Sequence, residues 1–389
     1  MGLPQIARST YDGYVSHKYF SELDGMRGIG VLAVITAHMH DRWVWDWVGP
    51  HRALDMFFVA SGYLITVLAL REEAQRGSLS LKAFYIRRCF RILPMYYLVL
   101  ALYCLLIFGI GLKRATAGPM LQGALPWYTF YMNEVPYFYG IAGHHRDIPF
   151  YQSWSLGIEE KFYALWPVLG FVLWRGNFRR RVVGSLTLAT AAVALPYLMG
   201  DQPLAGSLAQ YFNILLGCTL AFLLEHRASF ERMRFLSAPG WLYATLVPLL
   251  AIQFAVPVLE RTGHRGAVPP VHSIYSVLMA VFLACVLLGR GPVQRLLVWR
   301  PIVYVGRICY GMYLIHILCL NAAERVFRPG TGNLAVSLGA YALACLLTLG
   351  GAVALNRVFE KPLMDVGRRW SKRVAATRAA KAAVVAESA

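Results

Sequence analysis

The chain has 389 residues, of which 58% are hydrophobic and only 15% charged, and its mean hydropathy is +0.49. That is more apolar surface than one water-soluble core can hide, so a bilayer must cover part of it. The formal charge of +18 is spread along the chain instead of gathered in one domain, which reads as membrane topology and excludes a nucleic-acid-binding protein.

Residues 1–22 are polar and aromatic, without an apolar segment leading to a small-residue cleavage site, so no removable signal peptide is expected and insertion starts with the first helix. Apolar runs then recur at 23–41, 53–70, 91–112, 152–174, 182–199, 206–224, 240–258, 270–289, 302–322 and 333–356. Each approaches the roughly 20 residues that cross a bilayer as a helix, and none alternates as a barrel strand does. The expected fold class is therefore an all-α polytopic membrane protein, a bundle of about ten transmembrane helices. It divides into an N-terminal cytoplasmic segment at 1–22, a transmembrane domain at 23–367 and a basic cytoplasmic tail at 368–389 that is attracted to anionic lipid.

Counting Lys and Arg between these spans gives twenty-seven on the side of the termini and nine on the other, with Arg27 and Lys161 left inside spans. This bias predicts both termini in the cytoplasm of a cell (inner) membrane protein. Residues 113–151 form the longest connection, aromatic and punctuated by Pro126, Pro136, Gly140 and Pro149, with Gly143-His144-His145-Arg146-Asp147 near its end. It reads as an outward-facing loop where a bulky ligand docks, or as a re-entrant or surface-lying plug. Seven cysteines, mostly in apolar runs and never spaced C-x-x-C, read as small buried hydrophobes and predict neither a disulfide framework nor a metal site. No internal repeat suggests an inverted-repeat transporter.

Ionisable residues inside lipid are costly, so those that interrupt the apolar runs are the functional candidates. In the first span Arg27 and His38 are eleven residues apart, which on a helix returns to within about 20° of one face and separates them by about 16 Å. A neutral imidazole at one end takes a proton from an attacking hydroxyl, and a fixed cation at the other holds an anionic substrate; alternatively His38 bonds a neighbouring helix and Arg27 snorkels. Arg87, Arg88 and Arg91, at the start of the third span, place three guanidinium groups within about one turn and suit a polyphosphate, or simply anchor the helix on the cytoplasmic side. Of the neighbouring Glu159 and Glu160, which diverge by about 100°, one is expected to point into a polar cavity, where it orients His38, binds acceptor hydroxyls or pairs with Arg27 or Lys161. Asp55, followed by Ala60-Ser61-Gly62, reads mainly as part of a close helix contact, with substrate binding as its functional alternative. His316, three residues after Tyr313, reads as a core hydrogen-bonder or as a second catalytic base at the substrate.

These strings, Leu-Asp-Gly-Met-Arg-Gly followed by His38, Asp-Met-Phe-Phe-Val-Ala-Ser-Gly from Asp55, Arg-Arg-Cys-Phe-Arg-Ile-Leu-Pro from Arg87, Trp-Ser-Leu-Gly-Ile-Glu-Glu-Lys-Phe-Tyr from Trp154, Tyr-Gly-Met-Tyr-Leu-Ile-His ending at His316, and Glu360-Lys361-Pro362, together resemble the acyltransferase-3 family of membrane-bound acyltransferases over nearly the whole chain. The resemblance implies an acyl-CoA donor, acetyl-CoA first, and no bound cofactor. It implies His38 as the essential catalytic residue, Glu159 as an important acid, and Arg27 with Arg87, Arg88 and Arg91 as supports for the donor. Lys161 stands where glutamine is common, and Tyr63 where phenylalanine is. Some relatives carry an additional extracytoplasmic domain; this sequence shows none, so direct transfer or hand-over to another protein is expected. The acceptor implied first is a saccharide such as an exopolysaccharide or lipopolysaccharide, with a macrolide-like small molecule as the alternative. The rival from another class is a transporter of acylated or anionic molecules. Whether His38 acts as a general base or carries the acyl group is open at this level.

Overall fold

The structure, a computed structural model, describes residues 9–39, 52–140, 144, 147–199, 203–261, 268–328 and 333–387. Gly143, His145 and Arg146 of the long connection, with Arg8, Arg42 and Arg265 of the charge count, lie outside the described residues. Among those described, the secondary structure is helical and contains no strand. In chain order the helices are α1 (Tyr11–Ser16), α2 (Ser21–Ala37), α3 (Arg52–Arg76), α4 (Leu81–Cys104), α5 (Arg114–Thr129), α6 (Glu134–Tyr139), α7 (Trp154–Val168), α8 (Phe178–Met199), α9 (Pro203–Glu225), α10 (Arg227–Met233), α11 (Pro239–Arg261), α12 (Val268–Leu288), α13 (Pro292–Leu297), α14 (Arg300–Arg307), α15 (Cys309–Phe327), α16 (Leu334–Leu355) and α17 (Lys361–Glu387).

Six of the described helices are long and apolar enough to cross a membrane, or seven if α14 and α15, bent by 78° at Ile308, make one broken span. The protein is thus a multi-pass membrane protein, but with fewer such helices than the ten expected. Three of the apolar runs are not among these helices. The run at 23–41 lies on α2, which has 17 residues, carries Glu22, Asp24 and Arg27, and ends at Ala37. That at 152–174 is divided among a 3-10 turn, the 15-residue α7 with Glu159, Glu160 and Lys161, and a π-turn over Leu169–Leu173. The run at 182–199 lies on α8, just after Arg179, Arg180 and Arg181, and is not fully covered by the described side chains.

Two further expectations about extent are corrected. The third span starts ten residues earlier than its apolar run, at Leu81, because Ser80 caps α4 by accepting from the Ala83 amide and because Ala83, Phe84 and Ile86 are already buried. The connection at 113–151 is largely helical over its described residues, as α5 and α6, with Pro119 and Pro126 accommodated inside α5.

The chain divides into two compact units, one comprising residues 1–68 and 176–349 and the other residues 69–175 and 350–389. In the first, α2 packs on α15 and lies against α13 and α14 at backbone contact: a methyl group at Gly25 would strike the Leu297 carbonyl oxygen, one at Gly28 that of Ile302, and one at Gly306 that of Asp24. Close approach of this kind needs small residues on both helices. A second such crossing joins α3 to α9, where Gly62 faces the Ile214 carbonyl and Gly217 that of Val59. Around these crossings Tyr14, Phe20, Tyr63 and Phe230 form an aromatic core with the apolar faces of α9 and α12. In the second unit α4 is the central element. Its Phe90 receives Gly367 and the edge of Trp370 from α17, its Tyr85 hydroxyl donates to Ala164 O of α7, and Tyr96 donates to Tyr128 O of α5.

Candidate active site

His38 is the first residue beyond α2, at φ −106° and ψ 0°, so it is a helix-capping residue and not part of a span continuing to 41. Its Nδ1–H donates to the Val34 carbonyl, one turn back, at 2.8 Å. The packing of α15 on α2 brings a second imidazole to it: the His316 ring lies 4.9 Å away at 64°, with His316 Nε2 3.4 Å from His38 Nδ1. His316 is fully buried and donates Nδ1–H to Tyr313 O at 2.6 Å. A carbonyl only accepts, so both rings carry their proton on Nδ1. With both rings neutral, His316 Nε2 is an acceptor toward His38, and Nε2 of the half-buried His38 ring carries the lone pair.

Arg27 stands at the other end of α2, 3.8 Å from Asp24 one turn earlier. Asp24 also lies 3.7 Å from Arg307 of α14 and accepts from the Tyr19 hydroxyl. Burial and that bond push the Tyr19 phenol above its ordinary range. One carboxylate thus faces two guanidinium groups, with the buried Glu22 in the same first turn of α2. Asp55 is engaged on both oxygens, by Arg52 Nη1 at 3.1 Å and Asn213 Nδ2 at 3.1 Å, while the other arm of Arg52 donates to His272 Nε2 at 2.5 Å.

The second unit contains the arginine trio, and its members differ. Arg87 is paired with Glu72 at 2.6 Å. Arg88 lies 4.0 Å over the Tyr163 ring, whose hydroxyl donates to Glu159 Oε2 at 3.2 Å. Arg91 acts electrostatically on Glu160 and on the buried Glu360, which accepts from Asn356 at 2.8 Å. Glu160 Oε1 is buried without a hydrogen-bond partner, although the charges of both Arg88 and Arg91 reach it. Lys161, at 2.8 Å from the Glu134 carboxylate and 2.8 Å from Tyr131 O, is taken by neither of its neighbours in sequence. Among the described residues no three of His, Cys, Asp and Glu converge as a metal site requires.

The family model for an acyltransferase domain, acyltransferase-3, matches residues 20–357. The chain belongs to the acyltransferase-3 family. Similar relatives include YrhL of Bacillus subtilis, provisionally named a peptidoglycan O-acetyltransferase, at 29% identity over 92% of this chain and 57% of the relative. The peptidoglycan O-acetyltransferase OatA of Listeria monocytogenes is 31% identical over 82% of this chain and 52% of OatA. A provisionally named O-acetyltransferase of Staphylococcus aureus is 26% identical over 91% and 59%. The chain spans somewhat more than half the length of these relatives, and no solved structure matches it.

Both departures from the acyltransferase-3 strings have a local partner. The Tyr63 hydroxyl is fully buried and shares a hydrogen bond of 2.7 Å with Tyr14, and Lys161 completes its pair with Glu134. Sequence reasoning did not find Glu72, Asn213 or His272, which sit 15, 158 and 220 residues from the groups they hold and follow no periodicity. Arg52 carried a signal, the i,i+3 spacing to Asp55.

Proposed function

We propose that this chain is a membrane-bound O-acyltransferase that moves an acyl group, acetyl first, from acyl-CoA to a hydroxyl of a cell-envelope saccharide. The observation that carries the reading is His38: an imidazole whose Nδ1 faces the Val34 carbonyl, which leaves Nε2 as the lone-pair nitrogen of the neutral ring, at the end of the helix that carries Arg27. The printed names of YrhL and OatA support peptidoglycan as the saccharide to try first.

In this reaction His38 Nε2 takes the proton of the acceptor hydroxyl as its oxygen bonds to the acyl carbon. The C–S bond then breaks, and the departing thiolate recovers the proton from Nε2, so that free CoA and an ester leave and no redox step occurs. The guanidinium groups of Arg87, Arg88 and Arg91 are assigned to the donor's phosphates, with Arg87 also paired with Glu72. Arg27, beside Asp24 at the other end of α2, is assigned a supporting role toward the donor. Glu159, through Tyr163, orients Arg88. Asp55, saturated by Arg52 and Asn213, is assigned to holding helices together and not to the substrate.

The test is transfer of label from acetyl-CoA to a soluble peptidoglycan disaccharide by purified protein in bilayer discs. The wild type acetylates the sugar, and His38→Ala falls by at least about 100-fold while still folding. Wild-type turnover by His38→Ala, or label crossing the bilayer unchanged as in transport, overturns the reading.

A further inference from the structure

We propose that His316 is a positioning residue: its Nε2 accepts from His38 Nδ1–H and so holds the His38 ring in the tautomer and orientation that present Nε2 as the base. The inference rests on the reading of His38 as the base, and goes beyond it by assigning the second imidazole a role through the first.

Three observations carry it. First, the tautomer of His316 is decided away from His38. The bond of 2.6 Å from His316 Nδ1–H to Tyr313 O lies within α15, and it obliges Nε2 to be an acceptor. Second, the acceptor nearest to His38 is insufficient alone. Val34 O belongs to the last turn of α2 and His38 is the residue that follows the helix, so the bond to Val34 ties the ring only to the element that carries it. His316 is a contact from a different helix, and the ring packing at 4.9 Å and 64° bears on the plane as well as the proton. Third, the separation of the two rings is set by packing that does not adjust. α2 meets α14 at backbone contact through Gly28 and Gly306, α15 follows after the 78° bend, and Tyr341 of α16 donates to Leu32 O of α2 at 3.3 Å.

A free neutral imidazole prefers its proton on Nε2, which would leave Nδ1 as the basic nitrogen, pointing back at Val34. The arrangement reverses that preference. When His38 accepts the hydroxyl proton, its Nδ1–H becomes a charged donor to His316 Nε2, and the bond between them strengthens at the moment positive charge develops. No proton needs to leave His38 toward His316, so the atom balance of the transfer is unchanged.

The tautomer is read directly by nitrogen-15 NMR of histidine-labelled protein in bilayers at a pH where the rings are neutral, with His38 assigned by its loss in His38→Ala. The wild type should show Nδ1–H for both residues, with transfer of magnetisation between His38 Nδ1 and His316 Nε2. A wild-type His38 carrying its proton on Nε2 overturns the proposal without any variant of His316. In His316→Leu the His38 signal should redistribute toward the Nε2–H form, and kcat for acetyl transfer to the peptidoglycan disaccharide should fall about 10- to 100-fold with KM for acetyl-CoA unchanged. His316→Gln, whose side-chain carbonyl still accepts from Nδ1–H, should restore the tautomer and bring kcat to within about threefold of wild type. Wild-type spectra and turnover in His316→Leu, with His38→Ala inactive, reject the role of His316 alone. Full activity in His38→Ala rejects the underlying reading of the base instead.

Discussion

A neutral imidazole is basic at only one nitrogen; Tyr313 O sets which one it is in His316, and Val34 O together with His316 Nε2 faces Nδ1 of His38. The same logic of saturation separates the other candidate residues. Asp55 has both oxygens engaged, and Arg52, 8% exposed, is enclosed with it. Removing the carboxylate strands a buried guanidinium, whose remaining bond to His272 does not neutralise it. Asp55→Ala should therefore cost about 3–5 kcal/mol, read as a fall in the thermal unfolding midpoint in detergent. Asp55→Asn, which still accepts from Arg52, should lose less. An Asp55→Ala variant as stable as wild type would show that the pair holds nothing together. At this scale the i,i+3 spacing of Arg52 and Asp55 was readable from the sequence. The partners on α9 and α12 were not, because side chains more than 150 residues apart meet only through tertiary packing.

Helices in lipid gain nothing from hiding apolar surface against one another, so their crossings depend on how closely backbones approach. Gly62 and Gly350 make the contrast testable. By helix propensity alone, alanine at either position should help by about 0.5–1 kcal/mol. At Gly62 the added methyl runs into the Ile214 carbonyl, a backbone atom that cannot swing aside, and overpacking of this kind costs about 1–3 kcal/mol. At Gly350, inside α16, nothing lies within 4 Å of the new methyl. Gly62→Ala should lower the unfolding midpoint and Gly350→Ala should raise it slightly; the same sign at both sites would refute the assignment of Gly62 to a backbone crossing. Element limits were less legible than element identity. Hydropathy marks where a chain is apolar, not where a helix is capped, so it missed the start of α4 at Leu81 and the end of α2 at Ala37.

For the molecule as a whole, the charge bias of twenty-seven to nine predicts that both termini face the cytoplasm. An even number of crossings keeps them on one side, and an odd number separates them. In a cysteine-free background, Lys18→Cys and Lys372→Cys, both exposed positions, should be labelled by a membrane-impermeant maleimide only after the membrane is opened. Labelling of one but not the other in intact cells would mean an odd count of spans.

By itself the sequence determined that this is a multi-pass helical membrane protein of the acyltransferase-3 family, because hydropathy, charge bias and short motifs are local properties carried along the chain. It also singled out His38, Arg27 and the arginine trio, since ionisable groups stand out against apolar runs. What only the tertiary structure decided is which of those groups are already spoken for. Glu72 pairs with Arg87, Glu134 takes Lys161, Asn213 and Arg52 close off Asp55, and His316 reaches His38 from 278 residues away. The physical reason is that pairing depends on distance in space, which helix crossings at Gly28 and Gly306 set and no spacing along the chain encodes.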